Sequence, residues 1–164
     1  MNIPTRLYVV RHAVAEETSA DGDDRSRRLT PKGRKRFSKL VRKLIRGGLE
    51  IDVVATSPLV RTVETAELLA AGLPDRPRVE VVEALAPGSD WHVLVEWTLA
   101  QDARSVAWVG HAPCVGRLVA ASIGDTSAAV RMQKGAIASI AFDDGPGHPG
   151  ELEWLVTPDV FRRR

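Results

Sequence analysis

The fold of this chain is decided by the stretch LYVVRH, residues 7–12. Four apolar or β-branched residues predict a buried strand, and the charged pair Arg11-His12 follows directly at its carboxyl end. In parallel α/β sheets, ligands bind beyond the carboxyl ends of the strands. Arg11 and His12 are therefore candidate site residues by position, although a strand can also end in polar residues simply because it meets solvent.

Strand-like and helix-like segments alternate on both sides of this stretch. The pattern predicts strands near residues 5–11, 51–56, 79–82, 104–110, 136–142 and 151–156, and helices near 31–46, 58–71, 89–100 and 113–123. Such alternation is typical of a three-layer α/β/α fold with a mostly parallel central sheet. The loop over residues 143–150 allows the last two strands to pair as an antiparallel edge. With no internal repeat and no long linker, residues 1–164 are predicted to form one domain.

Two helices carry sequence signals for their ends. Thr30-Pro31 is predicted to cap and start the first helix, and Gly47-Gly48 to end it. Ser57-Pro58 is predicted to cap and start the second helix. Proline would then be the first helical residue, where its missing N–H is harmless.

Composition excludes several classes of protein. The chain is 44% hydrophobic and 27% charged, with a net charge of +2, which argues against a general attraction to nucleic acid. No apolar run approaches the roughly 20 residues that span a bilayer, and the first residues lack the features of a secretory signal. Cys114 is the single cysteine, so no internal disulfide can form. A cytoplasmic protein without a membrane segment is expected.

Charge is unevenly distributed along the chain. Residues 25–46 contain eleven Lys or Arg and no acid, directly after an acidic stretch that we interpret as a flexible turn. Helical spacing of the apolar residues in the basic segment predicts that the cations cover the solvated faces of a helix. The alternative is a docking surface for an acidic partner.

Two further positions repeat the chemistry of Arg11 and His12. Arg61 lies close to the predicted start of the second helix, and His111 follows the strand predicted at 104–110. Each could be an ordinary structural residue, but together they place two imidazoles and two guanidiniums at one predicted edge of the sheet. Arginine binds phosphate in bidentate fashion, and neutral imidazole is a nucleophile at pH 7. The combination favours phosphoryl transfer through a phosphohistidine.

These motifs resemble those of the histidine phosphatase superfamily, which includes phosphoglycerate mutases and many phosphatases. The resemblance rests on Arg11-His12, on the segment SPLVRTVETA (residues 57–66) and on Gly110-His111, in that order. Within the superfamily, the short length and the segments RLTPKG (28–33) and GAIAS (135–139) resemble the SixA type of phosphohistidine phosphatase.

The resemblance implies a role for each matching residue. His12 would be the nucleophile that becomes phosphorylated, while Arg11, Arg61 and His111 would bind the phosphoryl oxygens. Arg28 would be the further arginine that the SixA type places at the pocket. At Ala13 the chain departs from the usual glycine, which should matter only if a positive φ is needed there.

The proton donor and the substrate are less closely specified. Glu83 is the nearest match to the acid that protonates the leaving group in many relatives, and its alternative is a solvated loop carboxylate. With only 27 residues between Glu83 and His111, there is no room for an inserted lid, so the expected pocket is open. The resemblance implies an enzyme without metal or cofactor that acts on a phosphorylated protein. The alternatives are a small-molecule phosphomonoesterase and a non-catalytic phosphate-binding regulatory module. The sequence does not specify an oligomeric state.

Overall fold

The computed structural model describes residues 1–161, which contain six β-strands and four α-helices. The strands are β1 (Arg6–Arg11), β2 (Val53–Thr56), β3 (Arg78–Val81), β4 (Ser105–Gly110), β5 (Ile137–Ala141) and β6 (Glu151–Val156). The helices are α1 (Pro31–Arg46), α2 (Val60–Gly72), α3 (Trp91–Leu99) and α4 (Cys114–Ser122). Across residues 1–161, no helix combines the length and hydropathy needed to cross a bilayer.

The strands form one sheet in the order β3-β2-β4-β1-β5-β6. β3, β2, β4 and β1 run parallel to one another, whereas β5 is antiparallel to both β1 and β6. This confirms the mostly parallel sheet with an antiparallel edge. Because the four parallel strands share a direction, their carboxyl ends meet at one edge of the sheet.

Side chains alternate between the two faces of the sheet, and each face is covered by two helices. Leu7 and Val9 of β1 belong to a buried cluster with Trp108 and with residues of α3 and α4. Tyr8 and Val10 belong to the opposite cluster, which includes residues of α1 and α2. The period-two alternation of a strand therefore produces the three layers expected from the sequence.

Helix α1 begins and ends as its sequence signals predict. The Thr30 hydroxyl accepts a hydrogen bond from the Gly33 N–H at 2.9 Å, and Pro31 is the first helical residue. Gly47 follows the last turn. The apolar stripe of the basic segment is buried against the sheet, so most of its cations lie on the outer faces of α1.

The predicted start of the second helix is wrong. Helix α2 begins at Val60, and Leu59 precedes it without a side-chain capping bond. The Ser57 hydroxyl accepts the Leu59 N–H at 3.4 Å and also lies 2.8 Å from Nε2 of His111. The local bond that the Ser-Pro pair predicts is therefore present, but residues 57–59 stay outside the helix.

Candidate active site

The two histidines predicted at strand ends are neighbours. His12 follows β1 and His111 follows β4, and these two strands are paired in parallel. The imidazole centroids are 5.5 Å apart with a 55° tilt, and the two residues are only 6% and 4% exposed. The sheet thus places two buried imidazoles together, as the sequence predicts.

The ring of His12 is held in one tautomer. Its Nδ1 lies 2.7 Å from the carbonyl oxygen of Ala13. A carbonyl can only accept a hydrogen bond, so Nδ1 carries the proton and Nε2 keeps its lone pair. The pKa of His12 is lowered to about 3, mainly by burial and also by the nearby His111 and Arg61, while the hydrogen bond to Ala13 opposes this shift. His12 is therefore a neutral imidazole with a free nucleophilic nitrogen at pH 7.

His111 is held by a residue whose role the sequence did not reveal. Its Nε2 lies 2.8 Å from the Ser57 hydroxyl, which also accepts the Leu59 N–H at 3.4 Å. The Ser57 hydroxyl can donate its hydrogen to Nε2 or accept from an Nε2–H, and donation corresponds to the tautomer with the ring proton on Nδ1. Nδ1 is buried and has no partner among residues 1–161. Burial, followed by the charge of Arg61, lowers the pKa of His111 to about 4, so this ring is a neutral donor.

Both rings are expected to stay neutral from pH 8 down to pH 5, because their pKa values of about 3 and about 4 lie well below the ordinary 6.5. NMR titration of the imidazole Cε1–H signals, assigned with His12→Ala and His111→Ala, measures this directly. A midpoint near 6.5 for either signal would contradict the neutral pair.

The same shift has a consequence for stability. The unfolded chain takes up protons below its ordinary pKa of 6.5, whereas the folded protein does not. The free energy of unfolding should therefore fall between pH 6.5 and pH 5 by roughly 1–2 kcal/mol per histidine. Urea titrations of wild type and His111→Gln at both pH values should show a smaller fall in the variant.

Arg61 brings a buried guanidinium group to this edge, and Arg11 brings a half-buried one. Nη1 of Arg11 donates to the carbonyl of Met132 at 2.9 Å. Nη1 and Nη2 of Arg61 donate to the backbone and side chain of Asp24, at 2.8 and 3.1 Å. In each residue, the buried Nε has no hydrogen-bond partner within the described chain. Each guanidinium thus keeps donor capacity for an anion.

Asp24 changes the interpretation of the acidic stretch. It belongs to a short 3-10 turn, residues 24–26, and pairs with Arg61 and also with Arg27, whose Nε lies 2.9 Å away. The acidic turn is therefore held to the site through Asp24, although the Asp24 side chain stays 64% exposed, and our prediction of a flexible turn did not anticipate these contacts. The contact spans 37 positions, so no local pattern indicates it.

Thr65 connects the two elements that carry His12 and Arg61. Its hydroxyl accepts the Ala13 N–H at 3.1 Å and donates to the Arg61 carbonyl at 2.7 Å. Ala13 is not among the residues with positive φ, so its methyl group causes no backbone strain there. Thr65 is thus a positioning residue for the start of the loop after β1.

Arg28 is paired with a buried carboxylate. Its Nε lies 3.1 Å from Oε1 of Glu64, whose Oε2 accepts the Leu29 N–H at 2.7 Å. The Arg28 side chain is 70% exposed, in contrast to Arg61 at 6%. Its binding of a phosphoryl group stays a prediction, and Glu64 is a structural partner that the sequence did not indicate.

Glu83 lies at the same edge of the sheet but is exposed. It begins a 3-10 turn, Glu83–Leu85, that packs against the ends of β2 and β4. The backbone of this turn lies close to Gly110, where an added Cβ would be 3.6 Å from the Leu85 oxygen. An acid at this position would contact the leaving group of a substrate from the solvent side. The role of Glu83 as proton donor stays a prediction.

The arrangement defines a class of site. Two neutral imidazoles and two guanidiniums with spare donors lie close enough together at the carboxyl edge of the sheet that, besides burial, the two arginines lower the pKa of both histidines. This set of groups suits the oxygens of a phosphoryl dianion. The site has the chemistry of phosphoryl transfer to histidine.

Comparison with known proteins identifies the family. Residues 7–131 match the model of the histidine phosphatase superfamily, branch 1, and the chain belongs to this superfamily. An uncharacterized protein of Picosynechococcus sp. is 34% identical over 139 residues, which cover 82% of this chain and 83% of that protein. The chain is thus a hydrolase that acts on phosphoryl groups.

Solved structures support the resemblance to the SixA type. A structure of the protein histidine phosphatase SixA complexed with tungstate is 27% identical and covers 96% of this chain and 99% of its own, with a TM-score of 0.83. SixA from Agrobacterium tumefaciens is 19% identical, with a TM-score of 0.78 and coverage of 94% and 99%. The α-ribazole phosphatase from Shigella flexneri shares the fold at 16% identity, with a TM-score of 0.69 and coverage of 93% and 96%.

Proposed function

We propose that this protein hydrolyses phosphohistidine in a phosphorylated protein, through a covalent phosphoryl intermediate on His12. The observation that carries the proposal is the tautomer of His12, whose Nδ1–H bond to Ala13 leaves Nε2 free in a neutral, buried ring. The likeness to SixA, a protein histidine phosphatase, supports this substrate class.

In the first step, Nε2 of His12 attacks phosphorus and the bond between phosphorus and the substrate nitrogen breaks. The electron pair leaves with the substrate imidazole, which takes a proton from solvent water. Arg11, Arg61 and the Nδ1–H of His111 bind the phosphoryl oxygens, where negative charge must be stabilised in the transition state. As the phosphoryl group bonds to Nε2, the His12 ring becomes cationic, and the carbonyl of Ala13 stabilises its Nδ1–H.

In the second step, water attacks the phosphorus of the intermediate and the bond to Nε2 breaks. The electron pair returns to Nε2 of His12, and the attacking water releases one proton to the solvent. Inorganic phosphate then leaves. No metal or other cofactor takes part in this scheme, since the two guanidiniums and His111 supply the required positive and hydrogen-bonding groups.

The substrate class is tested by comparing a phosphohistidine peptide with p-nitrophenyl phosphate in the presence of EDTA. The proposal expects turnover of the peptide, with kcat/KM at least about tenfold above that of the ester. Turnover of the ester alone would favour the second candidate, a small-molecule phosphomonoesterase, which is supported by the fold shared with the α-ribazole phosphatase. Saturable binding of phosphopeptide without hydrolysis would instead indicate a regulatory binding module.

We also propose that Glu83 is the proton donor for poor leaving groups. A protonated imidazole leaves far more easily than an alkoxide, so an acid matters less for phosphohistidine. Glu83→Gln should slow hydrolysis of alkyl phosphates by about 10²-fold and change phosphohistidine hydrolysis by less than about threefold. Steady-state kinetics on both substrates measures the difference. Equal losses would count against this role, and Glu80→Gln on strand β3 serves as a control.

Two broader predictions accompany the proposed function. We infer that residues 1–164 act as one domain, supported by the single sheet that includes strands from residue 6 to residue 156. A cytoplasmic location is supported by the use of a single cysteine, half-buried and unpaired with another cysteine.

A further inference from the structure

A cavity that the proposed mechanism does not use lies beside the carboxyl edge of the sheet, next to the phosphoryl site. Its volume is about 720 Å³, and Arg11 and Ala13 are among its lining residues, so it adjoins the phosphoryl site. Its walls come from α1, from the start of α4 and from residues 126–135. Apolar side chains, among them Phe37, Met132 and Pro158, line part of it.

The wall formed by residues 126–135 is closely held to the rest of the protein. A Cβ added at Gly116 of α4 would lie 2.1 Å from the Val130 carbonyl oxygen, so the two backbones touch. The carbonyl of Met132 accepts the hydrogen bond from Arg11. This wall of the cavity is therefore held in place by backbone packing, and it is hydrogen-bonded to Arg11, a side chain of the phosphoryl site.

The lining is strongly basic. Besides Arg11, it contains Arg36, Arg117, Arg131 and Lys134, and none of these four makes an ion pair with a residue of the described chain. Asp159 is the one acidic residue in the lining given by residues 1–161. Cations gathered in this way repel one another, and an anionic ligand relieves the repulsion.

The basic lining continues along helix α1. An adjoining cavity of about 730 Å³ shares Arg36 and Pro158 with the first. Its further basic residues are Lys39, Arg42, Lys43 and Arg46. We call the two cavities together the cationic groove. Apart from Arg11, its cations are Arg36, Arg117, Arg131 and Lys134 of the first cavity and Lys39, Arg42, Lys43 and Arg46 of the second. A single small-molecule site has roughly 300–1,000 Å³, and the two cavities taken together exceed this range. The cationic groove is therefore larger than one small anion requires.

We propose that the cationic groove binds an acidic polypeptide segment of the protein that carries the phosphoryl group. The inference rests on the proposed function and specifies its partner. Carboxylates of the segment would pair with the groove cations while an apolar side chain enters the cavity beside Phe37. The mixture of apolar lining and cationic rim fits a polypeptide better than a uniformly charged polymer. Because the groove adjoins Arg11, the docked segment leads to the phosphoryl site.

The test compares two peptides of equal length with one central phosphohistidine, one flanked by Asp, Glu and Leu and the other by Ser and Gln. The acidic peptide should have at least about tenfold higher kcat/KM at low salt, and the advantage should shrink as salt rises. Arg117→Glu with Arg131→Glu, both at exposed positions, should remove the advantage. The variant should hydrolyse p-nitrophenyl phosphate at the wild-type rate within about threefold.

A second variant, Lys39→Glu with Arg42→Glu, tests the part of the groove on α1 and should reduce the advantage at least about threefold. Arg104→Glu is the matched control, because this exposed arginine precedes β4 at the opposite edge of the sheet. The control should keep the full preference. Equal rates for the two peptides, or an equal loss in Arg104→Glu, would overturn the proposal.

Binding without turnover separates this inference from the proposed function. Fluorescence anisotropy with the unphosphorylated acidic peptide should show saturable binding that Arg117→Glu with Arg131→Glu weakens at least about tenfold. Absence of hydrolysis with intact binding would contradict the proposed function alone. Displacement of the peptide by RNA or by anionic vesicles at lower concentrations than by unlabelled acidic peptide would overturn the assignment to a polypeptide.

Discussion

His12→Ala should abolish phosphatase activity, with a fall in kcat on the order of 10⁴-fold or more, because the nucleophile that forms the intermediate is removed. Neighbouring groups cannot replace it. His111 is close, but its Nε2 is hydrogen-bonded to Ser57, so that nitrogen is not free to attack phosphorus. Steady-state hydrolysis of the phosphohistidine peptide measures the loss, and thermal unfolding shows whether the variant is folded.

Detection of the intermediate separates a nucleophile from a residue that only binds substrate. Mass spectrometry after rapid alkaline quench should show a phosphoryl group on His12 in wild type and in His111→Ala, and none in His12→Ala. His92→Ala is the matched control, since His92 is exposed on α3 and should change kcat by less than about twofold. An adduct that persists in His12→Ala would place the chemistry on another residue.

Arg61→Ala should lower kcat/KM by about 10³-fold, with most of the loss in kcat. A buried guanidinium that meets the phosphoryl oxygens stabilises charge in the transition state, and arginines in this role contribute on the order of 10³–10⁵. Arg61→Lys should recover only a small part of the activity, because a single ammonium cannot replace the planar fork. Kinetics with both substrates, over a range of concentrations that gives kcat and KM separately, measures these effects.

The control for Arg61 is the other arginine that pairs with Asp24. Arg27 lies 2.9 Å from the same carboxylate, so Arg27→Ala disturbs Asp24 without removing the buried guanidinium. We expect a loss of less than about threefold. If Arg27→Ala and Arg61→Ala are equally impaired, Arg61 acts through the folding of the acidic turn, and its proposed contact with the phosphoryl group is wrong.

The fold was predictable to a large extent because its signals are local. The apolar run of β1, the Thr30-Pro31 start of α1 and the Gly47-Gly48 end each depend on residues close together in the chain. The structure confirms them within one or two residues, since backbone hydrogen bonding and side-chain periodicity act over short distances. The start of α2 at Val60 was not predicted, and neither was the contact by which the Ser57 hydroxyl reaches His111 besides the Leu59 N–H.

The candidate site was predictable for a different reason. Parallel strands bring their carboxyl ends to one edge, so residues 12 and 111 could be placed together from topology before any distance was known. The hydrogen-bonding partners of the site residues could not be predicted from the sequence. Ser57, Asp24 and Glu64 contact His111, Arg61 and Arg28 across 54, 37 and 36 positions, and no local pattern around these residues indicates which distant side chain each of them meets.

The sequence by itself determined the layers of the fold, the direction of its central strands and the identity of the groups at their ends, because periodicity and chain direction are properties of short segments. The tertiary structure alone decided which nitrogen of His12 is free, which residue orients His111 and why both rings stay neutral. These depend on burial and on single hydrogen bonds between distant residues. Such contacts exist only once the sheet and its loops have packed.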